Sequence, residues 1–284
     1  MPEETLFRLR IRFRETGRLR YLSHLELLRA LERGVHRSGV PYAVTQGFTP
    51  RMKAAYGPAL PVGVSSTDEW FDLWVRAYRP ADEYLAALRA NFPPDLAPLE
   101  AAYVGSRAAS LSAALTLSTW RMALAAGPDP LTGEPCPAGL SLTPEGVAEA
   151  LGRVRSKGEI EATRNGKRRV VRLEGKFAGE VEVGWEPPVS DPLAGEGAEG
   201  VLSGAGPDGV RLVVTTRSSE DGALRPDILA GAIVGQLAES FAANGAEGAC
   251  AASDVVSCSR YVRTSTVRVA QYLEGEDGSW VRPI

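Results

Sequence analysis

Arginines recur at every second position near the N-terminus, in the run FRLRIRFR, as Arg8, Arg10, Arg12 and Arg14. Apolar residues lie between them, and this period-two alternation is typical of a β-strand with one buried and one solvent-facing side. Four like charges in line repel each other unless an anion compensates for them. The spacing therefore predicts a face that binds RNA phosphates, or else a solvated or interdomain face where arginine stems cover apolar surface.

A second group of arginines follows on a predicted helix. Ser23 and Glu26 have the spacing of a capping box, which begins a helix. A cationic ridge recurs every four residues along it, at Arg29, Arg33 and Arg37. The apolar side of the helix is assigned to Leu25, Leu28, Leu31 and Val35. The ridge is predicted either to contact RNA or to be a solvated face with Glu26 and Glu32 as partial partners.

His24 could do chemistry because it lies in the first turn of this helix, beside a loop. An imidazole there could serve as a general acid or base. The alternative is a structural histidine that is hydrogen-bonded to the end of a strand or to a hairpin. The sequence shows no second histidine, nucleophile or metal triad beside it, and His36 is expected at the surface.

Two short strands, around residues 41–45 and 52–56, are predicted to flank a loop that contains Gly47, Phe48 and Pro50. The backbone amides of this loop could hold a phosphate, with Arg51 and Lys53 nearby. A purely structural turn fits the same residues. The next strand, within EWFDLWVRAYR, is expected to add Trp74 and Arg76 to the arginine face, where the ring could stack on RNA bases.

A basic hairpin is predicted later in the chain, because Asn165-Gly166 between two β segments is a strong hairpin signal. Its cations are Arg164, Lys167 and Arg168, followed by Arg169 and Arg172. The hairpin could be a finger that contacts RNA, or a charged edge that prevents aggregation.

The composition supports localised anion-binding faces in a globular protein. The 284 residues are 44% apolar and 24% charged, with a net charge of −3. Residues 1–60 carry 11 Lys/Arg against 5 Asp/Glu, and residues 153–176 carry 9 against 3, so basic charge is concentrated in two blocks. No apolar run reaches the roughly 18 residues of a membrane span, and no apolar signal core is present. We therefore expect a cytoplasmic protein.

Three cysteines, Cys136, Cys250 and Cys258, form neither a disulfide framework nor a zinc pattern. The closely spaced cysteines that hold a four-iron cluster are also missing from the sequence. We therefore expect no metal and no cofactor in this chain.

The order of predicted elements is strand, helix, hairpin with a further strand, helix and strand over the first hundred residues, and it recurs afterwards. This order predicts an α+β fold of tandem ferredoxin-like (βαββαβ) units. The first domain is assigned to residues 1–106 and the second to residues 107–284. Residues 186–208 are rich in Gly, Pro and acidic residues and are read as a flexible loop within the second domain.

The words RYLSHLEL, TQGFTPRMK and GPALPVGVSSTDEWFDL resemble those of the radical-SAM-associated, or radical-SAM-linked, family that carries the DUF2344 domain. The motif residues are Ser23, His24, Glu26, Gly47, Phe48 and Pro50, with Glu26 where the family has Asp. The resemblance implies partnership with a radical SAM enzyme. The predicted tandem units also look like the RAMP group of CRISPR RNA-processing proteins.

We therefore expect a non-catalytic accessory module that binds RNA, such as tRNA or rRNA, and works with a radical SAM enzyme. One alternative is a metal-independent endoribonuclease of RAMP type that uses His24. Another is a protein-interaction domain that docks an acidic surface of its partner.

Overall fold

The computed structural model describes residues 5–136, 142–164, 167–185, 209–219, 222–243 and 259–284. Within these ranges the fold is α+β with a large mixed sheet. The predictions for Cys250, Cys258, the Asn165-Gly166 turn and the loop at 186–208 concern residues outside the described ranges. None of the described helices combines the length and the apolar character needed to cross a bilayer.

The strands are, in chain order, β1 (Phe7–Glu15), β2 (Ala54–Tyr56), β3 (Ser65–Val75), β4 (Pro98–Val104), β5 (Leu115–Ala126), β6 (Glu159–Arg164), β7 (Lys167–Arg172), β8 (Phe177–Trp185), β9 (Val210–Ser219), β10 (Gly222–Ala223), β11 (Val262–Glu274) and β12 (Trp280–Val281). The helices are α1 (His24–Arg37), α2 (Ala81–Arg89), α3 (Leu111–Ala114), α4 (Pro144–Lys157) and α5 (Pro226–Ala243), with 3-10 turns at Gly17–Tyr21 and Pro94–Leu96.

The chain divides into two compact units, which we call unit 1 (Met1–Ser118 with Arg268–Ile284) and unit 2 (Thr119–Val267). The sequence-based boundary lay at residues 106 and 107 and assigned the whole C-terminal part to the second domain. The structure assigns the C-terminal segment to unit 1. Its Arg268 and Gln271 side chains donate hydrogen bonds to Glu69 and to the Asp68 carbonyl, contacts that sequence periodicity does not encode.

Unit 1 contains a sheet whose strand order is β11-β3-β1-β4, with β2 also paired to β3. The division between the units falls within β11, and its residues from Arg268 onward belong to unit 1. Strand β1 is antiparallel to both β3 and β4. The apolar side of β1, with Leu9, Ile11 and Phe13, is buried in one cluster with residues of α1 and α2. The predicted alternation of β1 therefore does mark one core-facing side.

Helix α1 begins with the predicted capping box, in which the Ser23 hydroxyl accepts from the Glu26 amide and the Glu26 carboxylate accepts from the Ser23 amide at 2.9 Å. Its buried residues are Leu27, Leu31, Gly34 and Val35. The predicted apolar side is therefore wrong at Leu25, which is 66% exposed. The leucines of α1 cover more of its circumference than the sheet can cover, so part of the apolar stripe stays outside the core.

Unit 2 contains the sheet order β10-β9-β5-β11, with β8 paired to β9, and the helices α4 and α5. The predicted basic hairpin is present as β6 and β7, with pairs that run from Glu159↔Arg172 to Arg164↔Lys167. These two strands form a separate two-stranded sheet. The hairpin therefore lies outside the large sheet.

We expect Gly34→Ala to destabilise the protein although alanine favours helices. A Cβ at Gly34 would lie 2.4 Å from the Phe92 ring, which is buried, so overpacking should cost about 1–2 kcal/mol after the helix-propensity gain. The matched control is Gly152→Ala on α4, where a Cβ meets nothing within 4 Å. Urea denaturation should show Gly152→Ala stabilised by roughly 0.5–1 kcal/mol; equal stabilisation of both variants would contradict the Phe92 contact.

Candidate nucleic-acid interface

The arginines of β1 do not all face solvent. Arg8 and Arg10 are 6% and 3% exposed, and Asp72 between them is 0% exposed. Arg8 donates to Asp72 Oδ2 from Nε at 2.9 Å and from Nη2 at 2.6 Å. Arg10 donates from Nε to Asp72 Oδ1 at 2.8 Å and from Nη2 to Oδ2 at 3.1 Å. The prediction that these two arginines lie on an open face is therefore wrong.

The arginine face of β1 is covered by residues distant in sequence. Asp72 lies on β3 directly across from Arg10 in the β1–β3 register. The carbonyl oxygens of Ala108 and Ala109 accept hydrogen bonds from Arg8, and the Pro283 carbonyl accepts one from Arg10 at 3.2 Å. A buried carboxylate and backbone carbonyls thus take the place predicted for phosphates.

The remaining predicted members of this face also have protein partners. Arg12 pairs with Glu100 at 3.0 Å, and Arg14 donates to the Pro94 carbonyl at 2.7 Å. The Arg8 guanidinium and the Lys53 ammonium lie 5.1 and 5.4 Å from the Trp74 ring centre. The Trp74 ring thus already contacts two cations, while Arg76 is exposed.

A second network, built on buried carboxylates of β3, links this strand to the C-terminal segment of unit 1. Glu69 accepts hydrogen bonds from Arg268 Nε and Nη2, both at 2.8 Å. Asp68 accepts from both terminal nitrogens of Arg282 at 3.0 Å and from the Gln271 amide at 2.5 Å. These pairs hold the C-terminal segment against the sheet through charge-assisted hydrogen bonds.

Glu15 lies beside this network. It is 2% exposed, and its Oε2 has no hydrogen-bond partner among the residues that the structure describes. Burial, with the nearby Glu69 carboxylate, raises the pKa of Glu15 to about 8, although Arg268 opposes this shift. Burial likewise raises the pKa of Glu69, and Arg268 opposes that shift too. Glu15 is therefore a buried carboxylic acid that is neutral at pH 7.

The arginine ridge of α1 lies at an open cavity of about 710 Å³, which we call the α1 groove. Val44 forms an isolated β-bridge with Met52, so the chain reverses around residues 45–50 as predicted, although residues 41–45 are not part of a named strand. Phe48 in this loop is fully exposed. Lys53 does not line the groove. The lining residues are Leu25, Leu28, Arg29, Glu32, Arg33, His36, Arg37, Tyr42, Pro50, Arg51 and Met52.

His24 is exposed, and its side chain makes no hydrogen bond within the described ranges. It lines a small cavity together with Glu69 and Trp70, but the Glu69 carboxylate is bound to Arg268. Among the described residues, no three His, Cys, Asp or Glu side chains group in a way that could hold a metal ion. The cavity thus places no carboxylate beside His24 except one already in a buried ion pair.

A second open cavity of about 850 Å³, which we call the hairpin groove, lies in unit 2. Its cations are Arg169, Arg172, Lys176 and Arg225. Lys176 is 4% exposed and donates to the Ser219 hydroxyl at 2.5 Å and to the Gly222 carbonyl. Arg225 pairs with Asp227 at 2.9 Å. The groove thus gathers positive charge from β7, from the segment after it and from the start of α5.

The sequence analysis identified only part of the hairpin groove. Arg168 pairs with the exposed Glu161 and does not line the groove, and Lys167 is exposed. The side chain of Arg164 lies outside what the structure describes. Lys176 and Arg225 were missed as site residues, although Lys176 falls in the basic block at 153–176.

The fold and these two grooves define an α+β protein that carries a cation-lined groove in each unit. The chain belongs to the DUF2344 family, whose model, described as "Uncharacterized protein conserved in bacteria", matches residues 8–175. No curated protein matches the sequence.

We expect Asp72→Asn to destabilise the protein by about 3–5 kcal/mol, because it leaves two buried guanidinium groups without a counter-charge. The matched control is Glu100→Gln, whose carboxylate is 47% exposed and pairs with Arg12 at the surface. That change should cost less than about 1 kcal/mol. Urea denaturation of both variants measures the difference, and a small effect of Asp72→Asn would mean that the arginine face is open after all.

Glu15 should make stability depend on pH between 4.5 and about 8, its ordinary pKa and its raised pKa. Because the folded state holds the proton more tightly, the free energy of unfolding should fall as pH rises through this window. Glu15→Gln stays neutral and should reduce that fall, whereas the exposed control Glu100→Gln should leave it unchanged. Denaturation curves at several pH values test this, and identical profiles for Glu15→Gln and wild type would rule Glu15 out.

Proposed function

We propose that this chain is a non-catalytic accessory module that binds RNA through the hairpin groove. The observation that carries the proposal is one open cavity lined by four cations. Arg169 and Arg172 are exposed, whereas Lys176 is buried and hydrogen-bonded and Arg225 pairs with Asp227. Among the described lining residues Glu159 is the one that carries an opposite charge, and Asp227 lies beside Arg225. A polyanion that lies in this cavity would release counterions, which favours nucleic acid over a single small anion.

The lining of the hairpin groove favours contact with the phosphate backbone. Its apolar members, such as Val170, Val171 and Ile228, are aliphatic, and the groove has no aromatic side chain among its described lining residues. Bases bind single-strand grooves mainly by stacking on flat rings. We therefore propose recognition that is largely independent of sequence and that weakens steeply as salt rises.

The proposal includes partnership with a radical SAM enzyme in the cytoplasm, as the family resemblance implies. In that role the chain would present an RNA such as tRNA or rRNA to the enzyme. We also keep the tandem ferredoxin-like arrangement as a proposal. In its support, unit 1 has the order strand, helix, two strands, helix, strand with neighbours β2-β3-β1-β4. Unit 2 departs from this pattern, because its β6–β7 hairpin forms a separate sheet.

Neutralisation of the groove tests the proposal. Arg169→Gln with Arg172→Gln should weaken the binding of a single-stranded oligonucleotide roughly tenfold, with the salt slope reduced by about one unit per lost phosphate contact. The control, Arg18→Gln with Arg107→Gln, removes the same charge from exposed residues that line none of the described cavities. Filter binding at several salt concentrations measures both variants.

Equal affinity and slope for the groove variant and the control would reject the hairpin groove as the RNA site. The same samples should be analysed for RNA cleavage. Metal-independent cleavage that disappears in His24→Ala would replace the accessory role with an endoribonuclease.

A further inference from the structure

The α1 groove combines apolar and cationic side chains in a way that the RNA proposal does not use. Leu25 is 66% exposed at the start of α1, and Leu28, Pro50 and Met52 continue an aliphatic floor toward the facing loop. A groove that combines apolar side chains with charge at its rim has the form that binds an amphipathic helix. Leu25 does not belong to the core cluster, so its packing against the sheet does not explain an apolar side chain at this position.

The described lining of the groove includes four arginines and one carboxylate, that of Glu32. Arg29 and Arg33 stand one turn apart on α1 and are exposed, and Arg51 lies on the facing loop. Neither Arg29 nor Arg33 donates a hydrogen bond or forms a close ion pair within the described part of the chain. Hydrogen bonds from Ser23 lower the pKa of the Glu26 carboxyl, and Arg29 is near enough to help lower it. Arg37 is already engaged by the Asn91 carbonyl at 2.8 Å. The groove therefore presents available guanidinium groups on both sides of an apolar floor.

We propose that the α1 groove docks an acidic amphipathic helix of a partner protein. The apolar side chains of that helix would lie on Leu25, Leu28 and Met52, and its carboxylates would pair with Arg29, Arg33 and Arg51. This is the helix-in-groove mode of recognition, in which anchors at i, i+3, i+4 and i+7 provide affinity and rim charges provide orientation. The interaction goes beyond the proposed RNA binding and does not depend on it.

The floor of the groove argues against RNA as its occupant. Single-stranded bases need flat rings on which to stack. The only aromatic carbocycle in the described lining is Tyr42, and the His36 ring already lies 6.2 Å from it. An aliphatic floor also offers phosphates no hydrogen-bond donors. A ligand with apolar side chains flanked by carboxylates could contact both the aliphatic floor and the arginines of the rim, whereas phosphates could pair only with the arginines.

Three labelled peptides test the proposal on the full chain. The first is a helix-forming peptide with leucines at i, i+3, i+4 and i+7 spacing and glutamates elsewhere. The second replaces its glutamates by lysines, and the third replaces its leucines by serines. Fluorescence anisotropy should show the acidic leucine peptide bound at least about tenfold more tightly than either of the others.

Matched variants assign that binding to the groove. Leu25→Ser should weaken the acidic leucine peptide about tenfold. Val62→Ser, a change at a residue that is 61% exposed and does not line the groove, should leave the affinity unchanged. Arg29→Gln with Arg33→Gln should also weaken binding about tenfold, whereas Arg18→Gln with Arg107→Gln should not. Thermal melting confirms that each variant is folded.

Equal binding of the three peptides, or binding that survives both groove variants, would overturn the proposal. A single-stranded oligonucleotide that displaces the acidic peptide and is sensitive to Arg29 and Arg33 but not to Leu25 would assign the groove to nucleic acid instead. The hairpin-groove variants Arg169→Gln with Arg172→Gln should not affect the peptide, so failure of this proposal and failure of the RNA proposal are distinguishable.

Discussion

The buried carboxylate of Asp72 is the interaction on which the organisation of unit 1 depends. It accepts four hydrogen bonds from two arginines that the alternation of β1 would otherwise leave on an open face. Carbonyl groups of residues 108, 109 and 283 complete the coordination of the two guanidinium groups. Because buried charges are tolerated only when they are paired and hydrogen-bonded, this set of partners requires both sides of β1 to be covered.

The C-terminal segment supplies partners for further buried carboxylates of unit 1. Arg268 and Arg282 from this segment satisfy Glu69 and Asp68, which lie on β3 and are themselves buried. Glu15 is the exception, since it keeps a carboxyl oxygen without a partner in the described structure and takes up a proton instead. Unit 1 therefore carries much of its charge inside, where it supports the fold and is not available to a ligand.

The two grooves use positive charge differently from that interior. In the hairpin groove, cations converge around an aliphatic lining and can attract a polyanion along its length. In the α1 groove, cations border the exposed Leu25 and the half-buried Met52, so a ligand must contact apolar as well as charged side chains. The proposals for RNA in one groove and an acidic helix in the other follow from this difference in what accompanies the charge.

Local patterns in the sequence were sufficient for the capping box of α1, the core side of β1 and the β6–β7 hairpin, because each depends on residues a few positions apart. The same patterns could not show that Arg10 is buried, since Asp72 and Pro283 reach it only through the folded chain. Lys176 and Arg225 likewise meet only in the fold. Period and spacing determine which residues share a face, but tertiary contacts decide whether that face meets solvent, a ligand or the protein itself.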